Sequence, residues 1–164
     1  MALTTLSSIG STLVSAKAQI ELLELGNKPM FESKLENVGL FPLIPTDLEI
    51  FQVNMGKMCN QTCTHCHVDA GPDRTEIMSK TTLEACLVAI KNSTVHTIDL
   101  TGGAPEMNPN FQWFVEELSK LNKKVIVRSN LTILTYKNYK DYPAFFAKHN
   151  VNVVSSMPCY TLEN

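Results

Sequence analysis

The chain lacks long hydrophobic runs, long runs of one charge and cysteines spaced for disulfide bonds. None of its apolar stretches approaches the roughly 20 residues that a membrane-spanning helix needs. Its formal net charge is −2, so we expect no nucleic acid or anionic membrane surface as a partner. Its five cysteines are an odd number, and three are too crowded for a disulfide framework. This pattern is typical of a reducing, cytoplasmic compartment.

The N-terminal part of the chain lacks the features of a targeting segment. Its first 26 residues contain no arginine and no basic start followed by a compact apolar core. Apolar residues instead recur at helical spacing as far as Leu23, and Gly26 would end the helix. Three prolines then indicate an extended lead-in from Lys28 to Asp47. We therefore predict that residues 1–46 form a helix and a lead-in, and that residues 47–164 form a separate core.

The predicted elements of this core alternate between strand and helix. In chain order they are a strand at 48–54, a helix capped by Ser79, a strand at 95–101, a helix opened by Asn108-Pro109, a strand at 124–129, a helix at 135–150 interrupted near Pro143, and a strand at 151–157. Such alternation is typical of a parallel sheet with right-handed crossovers. We predict an α/β fold with about four parallel strands. Cys86 lies on the apolar stripe of the first of these helices, so we expect it to pack in the core.

Three cysteines follow the first strand of the core within eight residues. Cys59, Cys63 and Cys66 lie on one loop (residues 55–66, the cysteine loop) with the spacing C-x₃-C-x₂-C. The carboxyl end of a strand is where α/β sheets and barrels place their chemistry. A structural zinc ion needs four ligands, and His65 or His67 could supply the fourth. A protein-ligated iron–sulfur cluster also needs four, so three cysteines would leave one iron open to another molecule.

Two segments carry a resemblance to a known family. Residues 56–72, together with residues 101–106 (Thr-Gly-Gly-Ala-Pro-Glu, the Gly-Gly turn), resemble the arsenosugar-biosynthesis members of the radical S-adenosylmethionine (SAM) superfamily. The similarity runs from about Phe51 to the C-terminus. It implies that the three cysteines hold a [4Fe–4S] cluster whose open iron binds the amino and carboxylate groups of SAM.

The resemblance also implies a fold. The superfamily core is a TIM-like barrel of six βα units, and only about four strands are predicted here. We therefore expect residues 47–164 to be the N-terminal part of a radical SAM core, a partial (βα) barrel truncated before its last strands.

Several further residues lie at predicted strand ends or on the cysteine loop, and the resemblance implies that residues at these positions contact SAM. Glycines allow a close approach to a ligand, so the backbone of the Gly-Gly turn is expected to contact SAM. The turn resembles a Gly-Gly-Glu motif that holds the SAM ammonium, although two residues here separate the acid from the glycines. The expected cofactor-binding residues are Gly102, Gly103, Glu106, Asn130, Ser156 and, against the adenine, His65.

The resemblance implies a substrate as well. It implies transfer of the 5′-deoxyadenosyl group to a small molecule, a methylated trivalent arsenical, with electrons from a reductant such as flavodoxin or ferredoxin. Cys159 follows Pro158 outside any apolar stripe, and a soft thiolate is a natural ligand for trivalent arsenic. We expect Cys159 to bind the arsenical. The alternative is a non-catalytic iron–sulfur or zinc-binding module that uses the same cysteines.

Overall fold

The structure, a computed structural model, describes residues 5–26, 28–64 and 66–156. These residues divide into two compact units. One is Leu6–Asp47, and the other contains Thr5 and the residues from Leu48 onward. The division of the sequence into domains 1–46 and 47–164 stays a prediction.

The unit Leu6–Asp47 contains two short helices. A 3₁₀ turn at Thr12–Val14 precedes α1 (Ala16–Glu24), and α2 spans Phe31–Asn37. The prediction of a wholly extended lead-in after residue 28 is therefore wrong for α2. Prolines break helices only from within, and the prolines of this segment flank α2 instead of interrupting it. No residue of α1 or α2 is buried.

The second unit is built on a four-stranded parallel sheet, which confirms the predicted α/β class. The strands lie side by side in sequence order. They are β1 (Ile50–Asn54), β2 (Thr97–Thr101), β3 (Lys124–Arg128) and β4 (Asn152–Val154), joined by α3 (Lys80–Lys91), α4 (Phe111–Lys120) and α5 (Tyr142–Lys148). Because all strands are parallel, their carboxyl ends meet at one edge of the sheet.

The helix starts follow local chemistry. The Ser79 hydroxyl accepts a hydrogen bond from the Thr82 N–H at 3.2 Å, so Ser79 caps α3 as predicted. The helix predicted to open at Asn108-Pro109 instead begins at Phe111. Pro143 does not interrupt α5 but lies in its first turn, where a missing N–H costs nothing. The residues before α5 form 3₁₀ turns at Thr132–Thr135 and Lys137–Tyr139.

One face of the sheet packs against the helices and forms the core. Successive side chains along each strand alternate between this face and the opposite one, which carries polar residues together with Ile50 and Ile126. The core includes Val53, Leu83, Ile90, Ile98, Leu100, Phe111, Phe114, Val115, Leu118, Val125, Val127 and Phe146, with Cys86 partly buried against it. A smaller buried cluster lies under the loops at the carboxyl edge of the sheet and consists of Cys59, Ala70, Ala104 and Ile133. Among the described residues no helix is both long and apolar enough to cross a membrane.

Candidate functional site

The cysteine loop leaves the sheet through a glycine. The Met55 N–H still donates to the Thr101 carbonyl oxygen at 2.8 Å, as if β1 continued. Gly56 then adopts a φ of 135°, a conformation that L side chains rarely adopt. Beyond this turn the loop pairs with the chain that follows it, because the Cys59 N–H donates to the Gly71 carbonyl oxygen at 3.2 Å. The cysteines are therefore held on a hydrogen-bonded loop at the carboxyl end of β1.

The Gly-Gly turn packs directly on this loop. The Gly103 N–H donates to the Gly56 carbonyl oxygen at 2.9 Å, and the Ala104 N–H donates to the Met58 carbonyl oxygen at 2.9 Å. A Cβ on Gly102 would lie 2.7 Å from the Gly56 oxygen, and one on Gly103 would collide with the Met58 carbonyl. Glycine is thus required at both positions for the two loops to meet.

The three predicted ligands differ in exposure. Cys59 is 6% exposed, Cys66 is partly buried and Cys63 is exposed. Two of the sulfurs lie close to N–H donors. The Ala70 N–H donates to the Cys66 Sγ at 3.3 Å, and the Asn130 side-chain amide donates to the Cys59 Sγ at 3.5 Å. The predicted residue Asn130 is therefore brought to the cysteine loop.

The electrostatics of the three thiols are coupled. Burial raises the pKa of Cys59, and the negative charges that Cys63 and Cys66 would carry raise it further. Hydrogen bonds from the Gln61 backbone and from Asn130 oppose this rise. Although Cys63 is exposed as a residue, partial desolvation of its thiol raises its pKa, and the charge that Cys66 would carry raises it further. A metal centre bound at Cys59 and Cys63 would have to displace protons that these two thiols hold more tightly than usual.

The cysteine side chains do not converge on a single point. Within the described residues, no group of three or more His, Cys, Asp and Glu side chains is arranged to hold one metal ion. A zinc site needs its donors about 2.0–2.3 Å from one common centre. A cubane cluster instead takes one thiolate per iron, so its ligands lie farther apart. His65, one candidate for a fourth zinc ligand, lies outside the described residues.

Glu106 lies in the short 3₁₀ turn that follows the glycines, Pro105–Met107. It is 1% exposed, and neither of its carboxylate oxygens has a hydrogen-bond partner among the described residues. Burial raises the pKa of this carboxyl group. The nearby Ser129 hydroxyl lowers the pKa in part, although its position does not meet the geometry of a hydrogen bond. A buried acid without a partner is costly, so it is a feature that needs an explanation.

Of the remaining predicted residues, the structure describes one. Ser156 is exposed and follows the end of β4 by two residues. Cys159, the expected arsenical ligand, lies outside the described residues, as His65 does.

Sequence analysis missed Arg74, which clamps the segment paired with the cysteine loop. Its side chain is 8% exposed and donates to the Asp69 carboxylate at 2.8 Å and to the Glu76 carboxylate at 2.5 Å. Its Nη1 also donates to the Asp69 carbonyl oxygen at 3.0 Å. The only signal in the sequence was a lone arginine among acids in a polar loop, which has no periodicity to interpret.

Comparison with known proteins shows a family and structural relatives. The sequence model of the radical SAM superfamily matches residues 53–157. The chain is also similar to a solved structure described as "Crystal structure of Streptococcus suis SuiB", with a TM-score of 0.42 and 15% identity over 70% of this chain. The chain spans 29% of the length of SuiB. No curated protein matches the chain.

Proposed function

The chain belongs to the radical SAM superfamily, and on that premise we propose that its cysteine loop holds the catalytic cluster of a radical SAM enzyme. Proteins of this superfamily bind a [4Fe–4S] cluster and SAM. The four parallel strands agree with part of the TIM-like fold of this family. The proposal assigns one iron each to Cys59, Cys63 and Cys66 and leaves the fourth iron to SAM.

The observation that carries this proposal is the position of three thiols on one loop that packs against the Gly-Gly turn. N–H donors near thiolates stabilise the charge that a cluster places on them, and the Cys59 and Cys66 sulfurs each accept such a bond. Thiolate is the ligand type that iron–sulfur clusters require. The residues present therefore fit the cluster.

The roles of the chain's own residues follow from their contacts. A cluster held by these cysteines would supply the single electron that cleaves SAM at its sulfur–C5′ bond into methionine and a 5′-deoxyadenosyl radical. Gly102 and Gly103 keep the Gly-Gly turn against the cysteine loop. Glu106 would pair with the ammonium group of SAM, which would compensate a buried acid that has no hydrogen-bond partner in the described part of the chain. Ser156 and His65 stay proposed SAM contacts, on the resemblance alone.

The finer proposal concerns the substrate. The resemblance of residues 56–72 and 101–106 supports transfer of the 5′-deoxyadenosyl group to a methylated trivalent arsenical. In that reaction the sulfur–C5′ bond of SAM would break, methionine would leave, and a bond from C5′ to arsenic would form. Overall the arsenic lone pair supplies the new bond, so arsenic(III) becomes arsenic(V) and the electron that starts the cleavage is not consumed. Cys159 would bind the arsenic through its thiolate. Flavodoxin or ferredoxin would supply the electrons in a reducing cytoplasm.

Anaerobic reconstitution with iron and sulfide, followed by titration with SAM, tests the proposal. We expect about four irons per chain, a brown colour that air bleaches, and an electron paramagnetic resonance (EPR) signal that shifts when SAM is added. A colourless protein that binds one zinc ion would instead make the chain a zinc module. A brown protein whose EPR signal ignores SAM would make it an electron-transfer module.

Single cysteine variants locate the cluster. Cys59→Ala, Cys63→Ala and Cys66→Ala should each lose most of the bound iron. Cys86→Ala is the matched control, because this thiol packs against the hydrophobic core on α3. Iron loss in the Cys86 variant equal to that in the others would contradict the assignment. The arsenical proposal has its own test, since Cys159→Ser should abolish arsenical binding and leave iron content unchanged.

A further inference from the structure

The side-chain amide of Asn130 is fixed in orientation by bonds at both of its ends. Its Oδ1 accepts hydrogen bonds from the Ile133 N–H at 3.0 Å and from the Thr132 hydroxyl at 3.1 Å. Its Nδ2 donates to the Asn60 Oδ1 at 2.8 Å and to the Cys59 Sγ at 3.5 Å. Flipping the amide would put its NH₂ group where Oδ1 now lies, facing two other hydrogen-bond donors. The NH₂ group must therefore face the sulfur.

The surroundings hold this amide in place. Asn60 is itself bonded, because its Nδ2 donates to the Thr132 hydroxyl at 2.9 Å. Asn60, Asn130 and Thr132 therefore form a closed set of hydrogen bonds between the cysteine loop and the turn after β3. Leu131, in the middle of that turn, has a φ of 59°, which a branched side chain rarely adopts. A turn that keeps a costly conformation is held by its neighbours.

The sulfur that receives this bond is the most buried of the three ligands. Cys59 lies in the small cluster with Ala70, Ala104 and Ile133, where few waters can reach its Sγ. The Asn130 amide therefore supplies to the Cys59 sulfur the hydrogen bond that water would supply to an exposed thiolate. Hydrogen bonds to cluster sulfurs are one of the means by which proteins set reduction potentials.

We propose that Asn130 is a positioning residue that raises the reduction potential of the cluster through its N–H bond to the Cys59 sulfur. The reduced cluster carries one more negative charge than the oxidised cluster. An N–H donor stabilises the more negative state more strongly, so the bond favours reduction. This inference rests on the proposed cluster and assigns Asn130 a role other than direct contact with SAM.

Redox titration followed by EPR tests the inference. Asn130→Ala removes the donor, and Asn130→Asp keeps an acceptor for the Ile133 N–H while replacing the donor with an oxygen. At a fixed potential we expect the ratio of reduced to oxidised cluster to fall by about three- to tenfold in Asn130→Ala, where tenfold equals about 59 mV for a one-electron couple. In Asn130→Asp the ratio of reduced to oxidised cluster should fall further, because this variant adds a negative charge.

The control variant for the redox titration changes another side-chain amide, that of Gln52 on β1. Gln52 donates to the Asp99 carboxylate at 3.1 Å, away from the cysteine loop, so Gln52→Ala should leave the ratio unchanged. Equal ratios in wild type and both Asn130 variants would overturn the inference, and so would an equal fall in Gln52→Ala. Failure of the wild-type chain to take up a cluster would instead overturn the proposed function.

A measurement on the unaltered chain covers variants that fail to bind the cluster. Pulsed EPR on protein labelled with ¹⁵N only at the asparagine side-chain amide should show a weak nitrogen coupling to the reduced cluster. Asn60 directs its own NH₂ group to Thr132 and not to a sulfur, so Asn60→Ala should retain the coupling. No coupling in the wild-type chain would overturn the inference.

Discussion

The side-chain amide of Asn108 donates to the carbonyl oxygen of Met55 over 3.2 Å and so ties the chain after β2 to the start of the cysteine loop. The same nitrogen lies 3.0 Å from the carbonyl oxygen of Met78, just before α3. Asn108 is buried, so water has little access to replace these bonds. One side chain thus connects the two ends of the segment that contains the cysteines.

Asn108→Ala should destabilise the chain because the Met78 carbonyl loses its amide donor in a buried setting. The expected fall in the free energy of unfolding is about 1–3 kcal/mol, the usual cost of leaving a buried polar group unsatisfied. Urea denaturation followed by circular dichroism measures it. Asn110→Ala is the control, since this residue makes no side-chain capping bond to α4, and it should change the unfolding free energy by less than about 0.5 kcal/mol.

Gly103→Ala should separate the Gly-Gly turn from the cysteine loop, because its Cβ would collide with the Met58 carbonyl. We expect the reconstituted variant to lose most of its iron, measured per folded chain. Gly39→Ala is the control, since its φ of 70° strains alanine but a Cβ there meets nothing within 4 Å. Strain without a collision at the cysteine loop should leave the iron content unchanged. Full iron content in Gly103→Ala would show that the close packing of the two loops is dispensable.

The sequence was informative wherever a repeat or a local rule applies. Alternation placed β2 and β3 within two residues of their observed ends, and the Ser79 cap was correct. Proline content misled the prediction for α2, because composition does not say whether a proline lies inside a helix or beside it. Whether a segment is a helix or a strand thus depends mostly on short-range patterns, which can be read from a single sequence.

The contacts that build the site are of another kind. Asn130 meets Cys59 across 71 positions of the chain, and Asn108 meets Met55 across 53. Neither asparagine has a periodic neighbourhood that would reveal its partner. The direction of the Asn130 amide depends on bonds from the following turn, so only the folded backbone determines which end faces the sulfur. Residues of this kind were predicted by resemblance or not at all.

Glu76 makes stability depend on pH in the acid range. The Arg74 guanidinium lowers the pKa of Glu76 to about 2 from 4.5. A carboxyl group whose folded pKa is lowered contributes stability above its unfolded pKa and loses it as the pH falls through the folded value. Glu76 is half exposed, so its contribution is at most about 1 kcal/mol.

We therefore expect Glu76→Gln to be less stable than wild type by up to about 1 kcal/mol at pH 7, with the difference narrowing between pH 4.5 and 2. Chemical denaturation at each pH measures it. Glu49→Gln is the control, since Glu49 is exposed and forms no ion pair with any residue that the structure describes. A Glu76 difference that stays constant with pH would contradict the assigned cause.

Glu106 should show the opposite pH dependence. Burial raises the pKa of this carboxyl group in the folded chain, so the folded state holds its proton more tightly than the unfolded state does. Stability is then fully present below the unfolded pKa, near 4.5, and is lost as the pH rises through the folded pKa. The side chain of Glu106→Gln cannot ionise. As the pH rises from 5 to 8, the unfolding free energy of wild type should therefore decrease relative to that of Glu106→Gln.

The same variant separates a structural acid from one kept for a ligand. If Glu106 pairs with the SAM ammonium, Glu106→Gln should retain its iron and bind SAM about tenfold or more weakly, because a charge-assisted bond is worth about 1.5–3 kcal/mol. Isothermal titration of the reconstituted protein measures the affinity, with Glu116→Gln on α4 as a matched control. Unchanged SAM affinity would remove Glu106 from the binding site. If Glu106 is found both to lower stability at neutral pH and to strengthen SAM binding, binding of the SAM ammonium would explain why the chain has this buried acid. A buried carboxylate is costly until a cation pairs with it.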